Sequence, residues 1–273
     1  MKRLDITDLD IIKAANTSNS AAEAARLLDI NYKTYRDRAI KLGVFKTNQS
    51  LKGVSKPHSR LYSVDDCAFD KIDCETAYFL GFIAADGSIV DNTLRIMIQH
   101  RDVDILEKLL IFLKSNYPIG YCKSHYTDDY GVVHYFDAVY VKITSNHIVS
   151  SLANYGIVQG KKYINIDFLA KIPDKYKIDF IIGLVDGDGG IYHSGSTSIS
   201  IALNKETCKS MLNVLKQLGI EYNVEYREKI DVVYINRKSS ILKFSRLYID
   251  SISRHSVLNR KRDIFISIIE HWR

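Results

Sequence analysis

The sequence predicts an α+β protein: two pseudo-symmetric αββαββα subdomains preceded by a small all-α helix-turn-helix domain. Three observations predict it. The segment Phe79-Leu80-Gly81-Phe82-Ile83-Ala84-Ala85-Asp86-Gly87 recurs 102 residues later as Ile181-Ile182-Gly183-Leu184-Val185-Asp186-Gly187-Asp188-Gly189, with apolar, small and acidic positions in register. Each copy is followed by the same order of strand-like and helix-like stretches, the mark of an internal repeat. The first 45 residues, in contrast, carry only helical patterns and turns. The boundaries expected are 1–45 for the helical domain, 46–64 for a linker, 65–165 for the first repeat and 166–273 for the second.

Taken in order, Thr7 is a natural cap for a helix over 7–16. Ser20 opens a second helix to Leu28, with Glu23 three residues on as in a capping box. After the turn Asp29-Ile30-Asn31 comes a basic helix from Tyr32 to Leu42, closed by Gly43. Two short helices joined by a tight turn match a helix-turn-helix, whose second helix enters the major groove by its N-terminal residues. Those residues are Asn31, Tyr32, Lys33, Thr34 and Arg36, with Arg38 and Lys41 further along. Residues 44–64 combine Gly53, Pro57 and several serines, which is linker composition. Within it Lys46, Lys52, Lys56 and Arg60 can follow a phosphate backbone.

In the first repeat, strands are expected near Gly87–Asp91, Leu94–Gln99, Ile119–Tyr126 and His134–Ile143, with helices at Val103–Ser115 and Asn146–Tyr155. In the second, strands fall near Gly189–Ser196, Thr197–Leu203, Tyr222–Arg227 and Val232–Arg237, with helices at Lys205–Leu218 and Ser240–Tyr248. Alternation puts Leu94, Ile96 and Ile98 inward and Arg95, Met97 and Gln99 outward. Tyr121, Lys123 and His125 share a face, as do Asn223, Glu225 and Arg227. Such mixed polar sets suit base-edge reading or simple solvent exposure.

Bulk composition narrows the function classes. A chain of 273 residues that is 46% hydrophobic holds a real core. No apolar run reaches membrane length, and the charged start Met1-Lys2-Arg3 lacks a secretory signal's apolar stretch. The expected location is therefore the cytoplasm of a bacterium or phage-infected host, or an organellar matrix. The four cysteines, Cys67, Cys74, Cys122 and Cys208, form no Cys-x-x-Cys pair, which argues for reduced, mostly buried thiols over a zinc site or redox motif. The net charge is +6, and residues 1–62, with 12 basic and 6 acidic side chains, carry all of it. That concentration points to a polyanion partner.

The repeated segments hold the chemistry. Gly81 and Ala85, like Gly183 and Gly187, stand four apart on one helix face and admit a close neighbour, for which the other copy is the obvious candidate. Each helix ends at Asp-Gly, with the glycine as the expected cap. An Asp there meets the negative end of the helix dipole, at a cost of about 0.3–1 kcal/mol. Two such helices side by side also bring Asp86 and Asp188 into repulsion. A divalent cation offsets both, and Mg²⁺ (or Mn²⁺) takes carboxylates together with phosphate oxygens. The bland alternative is a pair of buried helices ending in Asp-Gly turns.

At these residues, FLGFIAADG and IIGLVDGDG, the sequence resembles the LAGLIDADG homing endonucleases of the single-chain, two-motif type, over about residues 73–260. The resemblance implies a DNA-binding saddle whose sheets lie in the major groove. It also implies metal-dependent cleavage of both strands of double-stranded DNA by a monomer. By resemblance, Asp86 and Asp188 are metal ligands, aided by the carbonyls of Ala85 and Gly187. A basic residue late in each half falls at Lys142, a solvated lysine otherwise. Its second-half counterpart is expected at Asn236, beside Arg237 and Lys238. Gln99 belongs either to the polar pocket round the metals or to a plain DNA contact, and Arg260-Lys261-Arg262 reads as a phosphate-contacting or solvated patch. The runner-up function is a non-cleaving DNA-binding regulator or an intron RNA maturase on the same scaffold. An intein is disfavoured by the terminal residues Met1 and Arg273.

Overall fold

The computed structural model describes residues 6–18, 20–45, 61–128, 131–160, 165–194 and 196–272. The chain divides into two compact units between Leu61 and Tyr62. Lys46, Lys52, Lys56 and Arg60 lie outside the described residues.

The first unit is three helices: α1 (Asp8–Thr17), α2 (Ala21–Leu27) and α3 (Tyr32–Lys41). Each start is capped as its sequence requires. Thr7 and Asp10 exchange hydrogen bonds in a capping box, and Ser20 Oγ accepts from the Glu23 N–H. Asn31 Oδ1 accepts from the Lys33 N–H at 2.8 Å. Gly43, with φ +69°, ends α3 in the left-handed conformation that glycine adopts without steric cost. Mostly small side chains (Ala14, Ala24, Ala25, Ala39) pack around Ile11 and Tyr35, which lets three short helices close on one another.

The second unit holds the repeat. Its first half runs α4 (Cys74–Asp86), β1 (Gly87–Val90), β2 (Thr93–Gln99), α5 (Val103–Phe112), β3 (Gly120–Thr127), β4 (Val133–Thr144) and α6 (Asn146–Asn154). The second runs α7 (Lys177–Asp188), β5 (Gly190–Ser194), β6 (Ser196–Leu203), α8 (Lys205–Gln217), β7 (Asn223–Tyr226), β8 (Asp231–Ile235) and α9 (Lys238–Ser251). Each half forms a four-stranded antiparallel sheet, in the orders β1-β2-β4-β3 and β5-β6-β8-β7. The expected αββαββα order holds in both. The chain then adds α10 (Asn259–His271), which no repeat element matches. Lys261, Phe265 and Ile268, spaced i, i+4, i+7, are its buried face. That spacing was the available signal, masked by the charges of Arg260-Lys261-Arg262.

Every residue of α4 from Thr76 to Ala85 is buried, as is α7 from Asp179 to Asp186. Helices apolar on all sides belong in the interior, and these two pack on each other. A Cβ on Gly81 would stand 2.0 Å from the Phe180 carbonyl oxygen, and one on Gly183 would stand 2.0 Å from that of Tyr78. Only glycine permits this backbone-to-backbone approach. The terminal glycines act differently from expectation. Gly87 (φ −74°) and Gly189 (φ −75°) are extended, not left-handed. They are glycines for want of space: a Cβ would meet the Ile83 carbonyl oxygen at 2.6 Å or that of Val185 at 2.4 Å.

Candidate active site at the paired helix ends

The glycine seam sets the two Asp-Gly ends against each other. A Cβ on Gly187 would lie 2.4 Å from Ala85 Cβ and 3.3 Å from Asp86 Oδ2, so the Asp86 carboxylate rests on the last turn of α7. Asp86 is half-buried and Asp188 is exposed. Beside them opens a cavity of about 480 Å³ whose wall includes Asp86, Gln99, Arg101, Gly187, Arg260 and Lys261. Lys142 and Asp188 are not part of that wall.

Lys261 is the residue sequence reasoning misplaced. It is neither solvated nor a phosphate contact: it is 3% exposed. Its ammonium donates to the carbonyls of Val185, Asp186 (2.9 Å), Gly189 (2.7 Å) and, at 3.5 Å, Gly187. It thereby collects carbonyls at the end of α7 and offsets the negative end of the dipole. Burial holds its pKa below the usual lysine range, against the opposing pull of the nearby Asp186 and Asp86 charges. Arg260 is likewise engaged, its guanidinium gripping both oxygens of Asp102 at 2.7 and 2.9 Å.

Asp186, in the last turn of α7, is 3% exposed. It accepts from Tyr78 Oη (2.6 Å), Tyr248 Oη (2.8 Å) and the Leu258 N–H (2.8 Å). Burial raises its pKa, and the charge of Lys261 and these three donors work in the opposite direction. Burial also drives both tyrosines well above the usual phenol range. Asp186 is therefore a structural carboxylate that ties α4, α7, α9 and the start of α10 together. Asp179 plays a similar part at the other end of α7, accepting from Arg254 (2.7 Å) and His255 (3.1 Å). His255 in turn stacks on Tyr78.

On the first sheet, Arg95 and Gln99 are exposed on one face, as expected, with Met97 between them. Lys142 pairs directly with Arg95 and joins that face, its Nζ 4.7 Å from the Tyr140 ring centroid. Lys123 does not. It pairs with Asp137, on the face shared by Tyr121, Val139 and Ile98, opposite to Arg95. Exposure alternates over residues 120–125, but no residue of β3 is buried, so the sequence does not show which side is which.

Register corrects the counterpart of Lys142. Ser88 pairs with Arg95 and Arg95 with Lys142; in the second half Gly190 pairs with Ser200 and Ser200 with Tyr234. The matching position is thus Tyr234, not Asn236, and its hydroxyl donates to Glu225 at 3.0 Å. The error is an offset of two residues, which keeps the face and so leaves the apolar pattern unchanged. Asn236 instead accepts from Asn223 Nδ2 at 3.0 Å. Arg227 is held by Glu225 and Arg237 by Glu221. Lys238 lies 5.4 Å from the Trp272 ring centroid.

In the first unit, Tyr32, Lys33, Thr34, Arg36 and Lys41 are exposed on α3. Arg36 pairs with its neighbour Asp37. Asn31 is used as a cap, so its oxygen is committed. Arg38 is a strut: it donates to the Ile6 carbonyl at 2.8 Å and to Asp8 at 2.6 Å. Of the four cysteines only Cys208 is buried; Cys67 is exposed, and Cys74 and Cys122 are intermediate.

Around Asp86 the candidate donors are oxygens throughout: the Asp86 and Asp188 carboxylates, the Gln99 amide and the Ala85 and Gly187 carbonyls. Such a set suits a hard divalent cation. The Gly187 carbonyl is shared with Lys261.

No family model matches the chain, and no curated protein matches it. Solved structures similar to it include the homing endonuclease I-WcaI bound to its DNA recognition sequence, at 12% identity over 74% of this chain and 92% of that one, with a TM-score of 0.46. A second is the LAGLIDADG meganuclease I-CpaMI bound to uncleaved DNA, at 13% identity over 73% and 92%, with a TM-score of 0.47. A third is the N-terminal LAGLIDADG domain of DUF199/WhiA, at 16% identity over 67% and 89%, with a TM-score of 0.42.

Proposed function

We propose that this protein is a divalent-metal-dependent endonuclease that hydrolyses a phosphodiester in each strand of a DNA duplex. The observation that carries the reading is the seam at Gly81 and Gly183, which leaves the Asp86 carboxylate resting on the helix end that bears Asp188. Asp86, Asp188 and a carbonyl of Ala85 or Gly187 would hold Mg²⁺ or Mn²⁺. When bound, the cation supplies Lewis-acid activation of water and stabilises charge on the phosphate. Gln99 orients the nucleophilic water from the cavity wall, and Lys142, on the exposed face with Arg95, offsets charge on the scissile phosphate. Two unequal halves suit an asymmetric duplex site, and the exposed side chains of α3 add contacts outside it.

A second reading has its own support. Lys261 already supplies a cation to the α7 carbonyls, and Tyr234 stands where Lys142 has its counterpart. Both features suit a non-cleaving binder, a DNA regulator or an intron RNA maturase. Incubation with a plasmid library in Mg²⁺ and in chelator separates the two. Linear product that needs metal and is lost in Asp86→Asn and Asp188→Asn supports the nuclease. Tight binding with no cutting, or cutting that survives both substitutions, overturns it.

A further inference from the structure

Away from the helix ends, three side chains of different chemistry converge on the surface of the first half. Cys67 and Asp70 come from the turn that leads into α4, and His147 from the first turn of α6. We propose that Cys67, Asp70 and His147 form a binding site for one Zn²⁺ ion, independent of the nuclease reading.

The Cys67 Sγ, an Asp70 carboxylate oxygen and a His147 ring nitrogen lie within 4.8 Å of one another. His147 Nε2 is 2.8 and 2.9 Å from the two Asp70 oxygens, and the Cys67 thiol hydrogen-bonds to Asp70. Zinc bonds of ~2.0–2.3 Å in a tetrahedron put ligand atoms roughly 3.3–3.8 Å apart. Side-chain adjustment of about an ångström therefore closes the site. The backbone need not move, because other contacts already fix the two segments. Ser145, the cap of α6, donates to Asp66, and Ser151 donates to Asp70 Oδ1 at 2.8 Å. The second of these contacts also orients the ligand carboxylate, as outer-shell partners of metal sites do.

The donor set selects the ion. One thiolate, one imidazole and one carboxylate match zinc and its tetrahedral surrogates, whereas Mg²⁺ and Ca²⁺ take oxygen alone. The thiolate and the carboxylate balance the charge of Zn²⁺. Coordination replaces the Cys67 S–H bond with S–Zn, and that proton leaves to solvent. All three residues are exposed, so water completes the fourth position. The pattern escapes sequence inspection because His147 lies about eighty residues beyond Cys67. The ion would staple the lead-in to α4 onto α6, strengthening the segment that delivers the first motif helix.

The test uses the full chain and Co²⁺, a tetrahedral probe with a visible spectrum, followed by competition with Zn²⁺. The site predicts one Co²⁺ per chain, a thiolate-to-cobalt charge-transfer band and displacement by Zn²⁺. Cys67→Ser should abolish the band, and His147→Ala should weaken zinc binding at least tenfold. Cys122→Ser should change neither. Zn²⁺ should raise the thermal midpoint of the native chain and not that of Cys67→Ser. The Asp86→Asn chain should keep the band, so loss of cleavage and loss of zinc binding are separate results. No band, a band that survives Cys67→Ser, or equal loss in Cys122→Ser would overturn the assignment.

Discussion

Replacing Lys261 with Met keeps the volume and removes the ammonium. The native group is 3% exposed and donates to four carbonyls at the end of α7. Hydrogen bonds to a charged donor contribute about 1.5–3 kcal/mol each, against which stands the several kcal/mol cost of burying the ammonium. The neighbouring Asp186 carboxylate keeps three donors but loses its opposite charge. The four lost hydrogen bonds less the relieved burial cost leave a net loss of about 3 kcal/mol. For a unit of this size that is a fall of about 6–12 °C in thermal midpoint. In urea the midpoint should fall with an unchanged slope. The charge coupling has its own signature. Lys261→Met with Asp186→Asn should cost less than the two single losses added, by about 0.5–3 kcal/mol. Strict additivity, or a loss under about 1 kcal/mol for Lys261→Met, would refute Lys261 as the counter-charge of this helix end.

Other outcomes follow from the same geometry. Gly183→Ala puts a Cβ 2.0 Å from the Tyr78 carbonyl oxygen and should cost about 3 kcal/mol or more through overpacking; a neutral effect in urea unfolding would deny the close approach. Asp179 has its pKa lowered from 3.8: burial pushes it up, but hydrogen bonds from His255 and Arg254 and the charge of Arg254 outweigh that. Its stabilisation is present above the unfolded pKa and lost as pH falls through the folded one, so Asp179→Asn should flatten the stability curve below about pH 4; an unchanged acid limb counts against it. Tyr234→Lys restores the missing basic group and should raise the ratio of linear to nicked plasmid. Lys142→Met should slow one strand's cleavage by about 10²-fold or more. Equal effects of Lys142→Met on both strands would contradict its action at a single scissile phosphate.

The sequence made the fold legible wherever local pattern and tertiary need agree. The duplicated glycine spacing announced a helix pair before any contact was visible, and the period-two stretch Leu94–Ile98 placed Arg95, Met97 and Gln99 on the open face. Failures came where side chains serve distant partners. Lys261 and Arg260 look like surface charge until α10 folds back onto α7 and Asp102. Asn236 was misassigned, and the side of the sheet that carries Lys123 was not legible, because strand register, which decides the face and the counterpart, depends on pairing across the sheet. Gly87 and Gly189 were legible as obligatory glycines, but for a conformational reason that turned out to be a steric one.

In the proposed nuclease Asp86 and Asp188 jointly hold one cation. Substituting Fe²⁺ for Mg²⁺ and adding ascorbate and peroxide generates hydroxyl radicals at the ion, which break the nearby backbone. Cuts are expected in both motif segments, close to Asp86 and close to Asp188, suppressed together by excess Mg²⁺ and by either Asp→Asn substitution. Cuts confined to one segment, or persisting at the other when its partner aspartate is replaced, would contradict joint binding.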